Sequence, residues 1–389
     1  MKCLFYCLLW LFSFQIFAQA EERKSSLFFF AQGDYGYVMP TNVFVTGDNL
    51  KNRKINRFGL YSIGAGVQTS GKKDWQQLYN FPSYGVFISR LTTNYTAEMG
   101  EPIVLSSFFE APFYRWENSS LEYYVSAGIA MGWNKYDSIS NKFNMITGAR
   151  NTMYIGLGLR YHYRFAPHWE LTAGAMLTHF SNGAIRRPNR GLNLISPSLG
   201  LRYHIEPKQE FLRREIAPHH RTDEIAVSIG YGRKTGDRVR YDLFDDPNVN
   251  FMYNAAALNT AYMRQYSHSN KSGLGVSFLY DEWLGSEINS DDNNLAYSTL
   301  GSFDDRLSLN LFAAHEICID RLSIYAQLGV YVWQATPKKP SRFNQRIGVK
   351  YHLKNNIFAS ISVLAHNFTL ADYIEWGVGY RFKLKGKSL

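Results

Sequence analysis

The sequence predicts an all-β protein: an antiparallel transmembrane β-barrel of about sixteen strands in two similar eight-stranded halves. Three observations carry this. Segments of about ten residues with alternating apolar and polar positions recur along the whole chain, the pattern a barrel wall requires. Aromatic residues make up 16% of the chain while its mean hydropathy is negative, and nothing beyond the N-terminus approaches the roughly 18 to 20 continuous apolar residues of a membrane helix. Connections alternate long and short, as in outer-membrane barrels with long loops outside and short turns in the periplasm.

The N-terminus reads as a secretory signal over residues 1–20. Lys2 precedes an apolar run from Cys3 to Phe17, then Ala18-Gln19-Ala20 offers a small-residue cleavage site before the charged Glu21-Glu22-Arg23-Lys24. Cys3 and Cys7 leave with it, so Cys318 remains alone and no internal disulfide is expected. The formal net charge is +10. For an exported barrel the anionic partner this suggests is lipopolysaccharide phosphate rather than nucleic acid, with a solvated basic loop surface as the plainer reading.

In the first half, residues 21–206, strands are expected near 27–38, 58–69, 83–91, 103–115, 121–133, 152–165, 168–181 and 193–206. The clearest places Met153, Ile155, Leu157, Leu159, Tyr161, Tyr163 and Phe165 on one face and Tyr154, Gly156, Gly158, Arg160, His162 and Arg164 on the other. A soluble sandwich would cover the apolar face with a second sheet; repeated hairpins with charges opposite favour lipid outside and a polar lumen inside. Loops near 39–57, 92–102, 134–151 and 182–192 are long, while 116–120 and 166–167 are tight and the turn near 70–82 breaks the rhythm.

Residues 207–223 are charged, lack alternation and read as a linker. Eight further strands are expected in 224–389, near 224–233, 255–267, 272–283, 305–318, 322–333, 343–353, 357–367 and 373–383. Leu322-Ser-Ile-Tyr-Ala-Gln-Leu-Gly-Val echoes Leu121-Glu-Tyr-Tyr-Val-Ser-Ala-Gly-Ile, and Ile347-Gly-Val-Lys-Tyr-His echoes Leu157-Gly-Leu-Arg-Tyr-His, so the halves look like a diverged duplication. Two tandem barrels are favoured over one 16-stranded barrel.

One stretch carries chemistry. In the strand ending at Ser181, odd positions are apolar, so His179 and Ser181 share a face, two residues and about 7 Å apart along the strand. A base and a hydroxyl so placed can work together, or can simply be polar residues at a membrane interface. In the second half Asn367 and Thr369 fall at the matching places, and His366 is one residue out of phase, facing the lumen. One candidate site is expected, not two.

The run His179-Phe180-Ser181-Asn182-Gly183, followed by Arg187-Pro188-Asn189-Arg190-Gly191, resembles the lipid A 3-O-deacylase (PagL) family of outer-membrane acyloxyacyl hydrolases, over about Leu27 to Glu206. The resemblance implies an esterase that removes a hydroxyacyl chain from the lipid A of lipopolysaccharide in the outer membrane of a Gram-negative bacterium. It makes His179 the general base and Ser181 the nucleophile, and sets Asn182 and Asn189 around the oxyanion. No cofactor or metal is implied. The family's His-orienting Glu falls at Asn193, a departure, and no Asp or Glu lies between Glu170 and Glu206 to replace it. Arg186, Arg187 and Arg190 are candidates for pairing with the glucosamine phosphates. The competing reading is a barrel without catalysis, a pore or a degenerate relative.

Overall fold

A computed structural model describes residues 25–207, 211–236, 251–292, 296–336, 341–368 and 370–384; the expected signal, 1–20, lies outside them. In the first half, period-two alternation produces β1 (Ser26–Val38), β2 (Arg57–Gln68), β3 (Ser83–Thr92), β4 (Gly100–Arg115), β5 (Ser119–Trp133), β6 (Asn151–Arg164), β7 (Trp169–Ser181) and β8 (Leu192–His204). These pair antiparallel in order, and β1 meets β8, with Phe28 opposite His204 and Val38 opposite Leu194. The barrel is therefore closed. Closure removes the unpaired backbone groups of an edge strand, which is what allows a sheet to cross lipid.

The second half forms β9 (Thr222–Thr235), β10 (Met252–Gln265), β11 (Asn270–Asp281), a small hairpin of β12 (Ser286–Ser290) and β13 (Ala296–Leu300), then β14 (Leu307–Ile319), β15 (Leu322–Gln334), β16 (Phe343–His352), β17 (Ile357–His366) and β18 (Leu370–Leu384). Strands β9 to β11 and β14 to β18 close a second eight-stranded barrel through the β18–β9 pair. A single 16-stranded barrel is excluded by these two closures. The echoed segments occupy equivalent places, Leu121 and Leu322 each starting or nearly starting the fifth strand of its barrel, and Leu157 and Ile347 each within the sixth. The hairpin β12–β13 was not expected; it sits in the loop between the third and fourth strands of the second barrel.

Strand β17 stops at His366, short of the expected 367. Asn367 and Phe368 take positive φ, 50° and 59°, and turn the chain straight back into β18. Asn367 is therefore a turn residue, not an outward strand position matching His179; Thr369 lies outside the described residues. His366 faces inward, 1% exposed, with Nε2 3.2 Å from Asp372 Oδ2.

Side chains fill both lumens. In the first barrel Phe28, Phe87, Phe108, Tyr124 and Tyr154 occupy the interior, and Glu110 accepts from His162 and Arg202. In the second, Lys271 pairs with Glu224 at 2.8 Å and Arg346 with Glu375 at 3.0 Å, all buried. A cavity in this lumen, among Asn259, Tyr325, Arg346 and Glu375, has a volume of about 20 Å³, room for about one water. Planar-bilayer recordings of the purified protein are expected to show no stepwise conductance; porin-like conduction would mean that a lumen opens.

Candidate active site

The site lies at the long-loop end of the first barrel, where β7 and β8 meet the connection 182–191. Along β7, Leu171, Ala173, Ala175 and Leu177 are exposed and Thr172, Met176, Thr178 and Phe180 buried. His179 and Ser181 continue the outward series, both half-buried, and pair with Ile155 and Met153 of β6. On the other side His179 stands opposite Asn193 of β8.

Phe180, between them, anchors the strand end. It is fully buried, with edge contacts to Trp133 at 5.3 Å and Tyr154 at 5.4 Å between ring centroids. Its removal leaves a hole under the two polar residues. Phe180→Ala is expected to destabilise the barrel by about 3–5 kcal/mol, measured by denaturant unfolding in detergent.

His179 Nδ1–H donates to Asn193 Oδ1 at 2.6 Å. That bond places the proton on Nδ1 and leaves Nε2 with its lone pair, the state a general base needs. Gly191 makes room for the ring: at φ +68°, a Cβ there would come 2.8 Å from the Phe180 carbonyl oxygen and 3.1 Å from His179 Cε1. A side chain at 191 would be strained by its backbone and would also collide with the imidazole.

Ser181 Oγ accepts from Asn189 Nδ2 at 3.0 Å and lies 3.2 Å from Asn189 Oδ1. The same Oδ1 accepts the Asn182 backbone N–H at 2.9 Å. Asn189 therefore spans the hydroxyl and the turn behind it. Asn182 itself is buried and faces inward, its Nδ2 donating to Thr147 Oγ1 at 3.1 Å. Of the three arginines, Arg186 and Arg190 are exposed and Arg187 is half-buried.

The other long loops hold this one in place. Gly148 N–H donates to the Pro188 carbonyl, Arg190 N–H to Met145 and Gly191 N–H to Ile146. Asn144 in turn holds the carbonyls of Glu98 and Asn134. Apolar residues of the loops, Phe44, Val45, Ile55, Met99 and Ile146, pack into the barrel mouth in one cluster with Phe180, Leu192 and Leu194. Thr41, Asn42, Asn144 and Thr147 were not singled out by sequence, because each acts on residues distant in the chain.

Glu110, Glu122 and His162 bring three potential metal ligands together within the first lumen. Arg202 and Arg160 against Glu110, and Ser120 against Glu122, already serve these carboxylates. This cluster reads as internal ion pairing rather than a metal centre.

Residues 60–202 match the family model described as lipid A 3-O-deacylase (PagL), and residues 223–384 match the acyloxyacyl hydrolase C-terminal domain. No curated protein matches the chain. Among solved structures, the chain aligns with the outer membrane protein Omp33 of Acinetobacter baumannii at 10% identity, covering 92% of this chain and 99% of that one, with a TM-score of 0.17. It aligns with a mutant porin of Rhodopseudomonas blastica at 12% identity, covering 92% and 100%, with a TM-score of 0.18. At such scores the reading of the fold rests on the chain's own strand pairing. The family implies a hydrolase acting on lipid A, and together with the barrels it points to the bacterial outer membrane. Matched in both halves, and in the second by a domain model of its own where only the first half carried the resemblance, the chain belongs to the lipid A 3-O-deacylase (PagL) family of acyloxyacyl hydrolases.

Proposed function

We propose that the first barrel removes an ester-linked hydroxyacyl chain from lipid A by a Ser/His mechanism on its lipid-facing wall. The observation that carries this reading is the bond from His179 Nδ1–H to Asn193 Oδ1, which leaves Nε2 basic on the same outward face as Ser181. His179 Nε2 takes the Ser181 proton as Oγ attacks the ester carbonyl. The tetrahedral oxyanion is met by Asn189 Nδ2, the amide donor already at Ser181 Oγ. Collapse expels the sugar hydroxyl, which receives the proton from His179, and Ser181 is left acylated. Water, deprotonated by the same nitrogen, then releases the hydroxy fatty acid and restores Ser181.

Asn189 supports this mechanism through its side chain, and Asn182 through its backbone N–H and its inward tie to Thr147. Arg186 and Arg190, exposed in the connection that follows Ser181, suit the phosphates of the lipid A headgroup as charge-assisted partners, with Arg187 contributing from a half-buried position. The filled lumens favour this reading over a pore. Mass spectrometry of lipid A incubated with the purified protein tests it: the expected product has lost one hydroxyacyl chain, and unchanged lipid A would overturn the proposal.

A further inference from the structure

The basic side chains of the first barrel's connections are gathered at one end. Its long connections 39–56 and 134–150 carry Lys51, Arg53, Lys54, Lys135, Lys142 and Arg150, all exposed, against Asp48 and the half-buried Asp137. Glu98, in the connection between them, is buried and accepts Leu50 N–H at 3.0 Å, so it is turned away from that surface. At the opposite end, connections 69–82, 116–118 and 165–168 set Lys72 and Lys73 against Asp74 and Glu117 and balance. Solubility alone gives no reason to load one end with one sign; an anionic partner on that side does.

The cations also stand on a fixed base. Asn49, 2% exposed, winds the turn that displays Lys51, Arg53 and Lys54. Its Nδ2 donates to the Phe44 and Arg53 carbonyls at 2.9 and 2.8 Å, and its Oδ1 accepts Lys51 N–H at 3.1 Å. Tyr95 Oη donates to the Arg53 carbonyl at 2.9 Å, and Lys51 Nζ, which donates to the Asn94 carbonyl, lies 4.9 Å from the centre of the Tyr95 ring. Phe44, Val45 and Ile55 lock both flanks into the barrel mouth. A turn ordered beforehand gives up little entropy when it binds. The same connection begins against the candidate site, where Met39 N–H donates to the Asn193 carbonyl at 2.9 Å and Asn42 Nδ2 to the Gly191 carbonyl at 3.2 Å.

We propose that this basic platform binds the anionic core saccharide of the lipopolysaccharide molecule being cleaved, so that intact lipopolysaccharide is preferred over free lipid A. The proposal rests on the deacylase reading given above. Arg186 and Arg190 lie in the connection of the site itself, at the level of the lipid A phosphates. Cations on the longer loops stand beyond the strand ends, where the sugars that follow lipid A leave the membrane with their phosphate and carboxylate groups.

Initial rates on lipopolysaccharide with a phosphorylated core, and on the matching lipid A with both phosphates retained, test this in one detergent. kcat/KM is expected to be about tenfold higher for the intact molecule, from three exposed charge contacts at about two- to threefold each. In the triple variant Lys51→Gln, Arg53→Gln, Lys54→Gln the preference is expected to shrink to within about twofold, and about 0.5 M salt should shrink it in the wild type by screening. Binding is measured separately on Ser181→Ala, which makes no product: it is expected to hold intact lipopolysaccharide about tenfold more tightly than lipid A, a margin lost when the triple substitution is added. Equal affinity for the two ligands, or a margin that survives the triple substitution, would overturn the proposal. Should the wild-type protein cleave neither substrate, the deacylase reading fails, and the binding margin still decides the role of the platform.

Discussion

Ser181→Ala is expected to abolish release of the hydroxyacyl chain, a loss of about 10⁴-fold or more, while the protein still folds as a barrel. The size follows from the chemistry. Without Oγ there is no covalent intermediate, and a base with no nucleophile to activate contributes little, so His179→Ala should cost about as much and the double variant little more. Folding should survive because Ser181 is half-buried on the outward face, and the strand end is held by Phe180 from within. Lipid A mass spectra measure the first expectation. The faster gel migration of an unheated, folded barrel measures the second. A folded Ser181→Ala protein that still deacylates would remove Ser181 from the mechanism.

The second large effect is a gain. Where a serine protease has a carboxylate on its histidine, Asn in its place lowers turnover by about 10⁴-fold, largely because the histidine is held in the wrong tautomer. Here the amide presents Oδ1 to Nδ1, so under the proposed mechanism the part that an amide would not supply is the charge that stabilises the imidazolium in the transition state. Sequence reasoning favours Asn193→Glu as the restoring change. The structure favours Asp: the bond is already 2.6 Å long, and the extra methylene of Glu would drive the carboxylate into the ring. Asn193→Asp is therefore expected to raise the deacylation rate by about tenfold, and Asn193→Glu by less. Initial rates on lipid A decide this, and an Asn193→Asp protein no faster than wild type would mean that charge at 193 is not limiting.

Much of the fold was legible because a barrel wall has a strict period of two. The sixteen expected wall strands agree with those observed to within a few residues, and the phase that sends His179 outward sends His366 inward in the second barrel. The structure turns the Asn182 side chain inward onto Thr147 and leaves its backbone N–H on Asn189 Oδ1. The loops were not legible, since their order comes from hydrogen bonds between distant stretches, as between Thr41 and Asn193, 152 residues apart. Hairpin β12–β13 was missed because strands of five residues carry too few alternations to stand out.

Under the deacylation proposed above, a filled lumen with the reacting groups on the outer wall changes what substrate concentration means. Lipid A would reach such a site by lateral diffusion within its own leaflet, so encounter would depend on molecules per unit area, and volume would hardly enter. Both products would be released into the same sheet of lipid. Inert lipid or detergent added at constant total substrate thins the population around the protein, and turnover then follows the mole fraction of lipid A in the mixed layer, as for other enzymes confined to two dimensions.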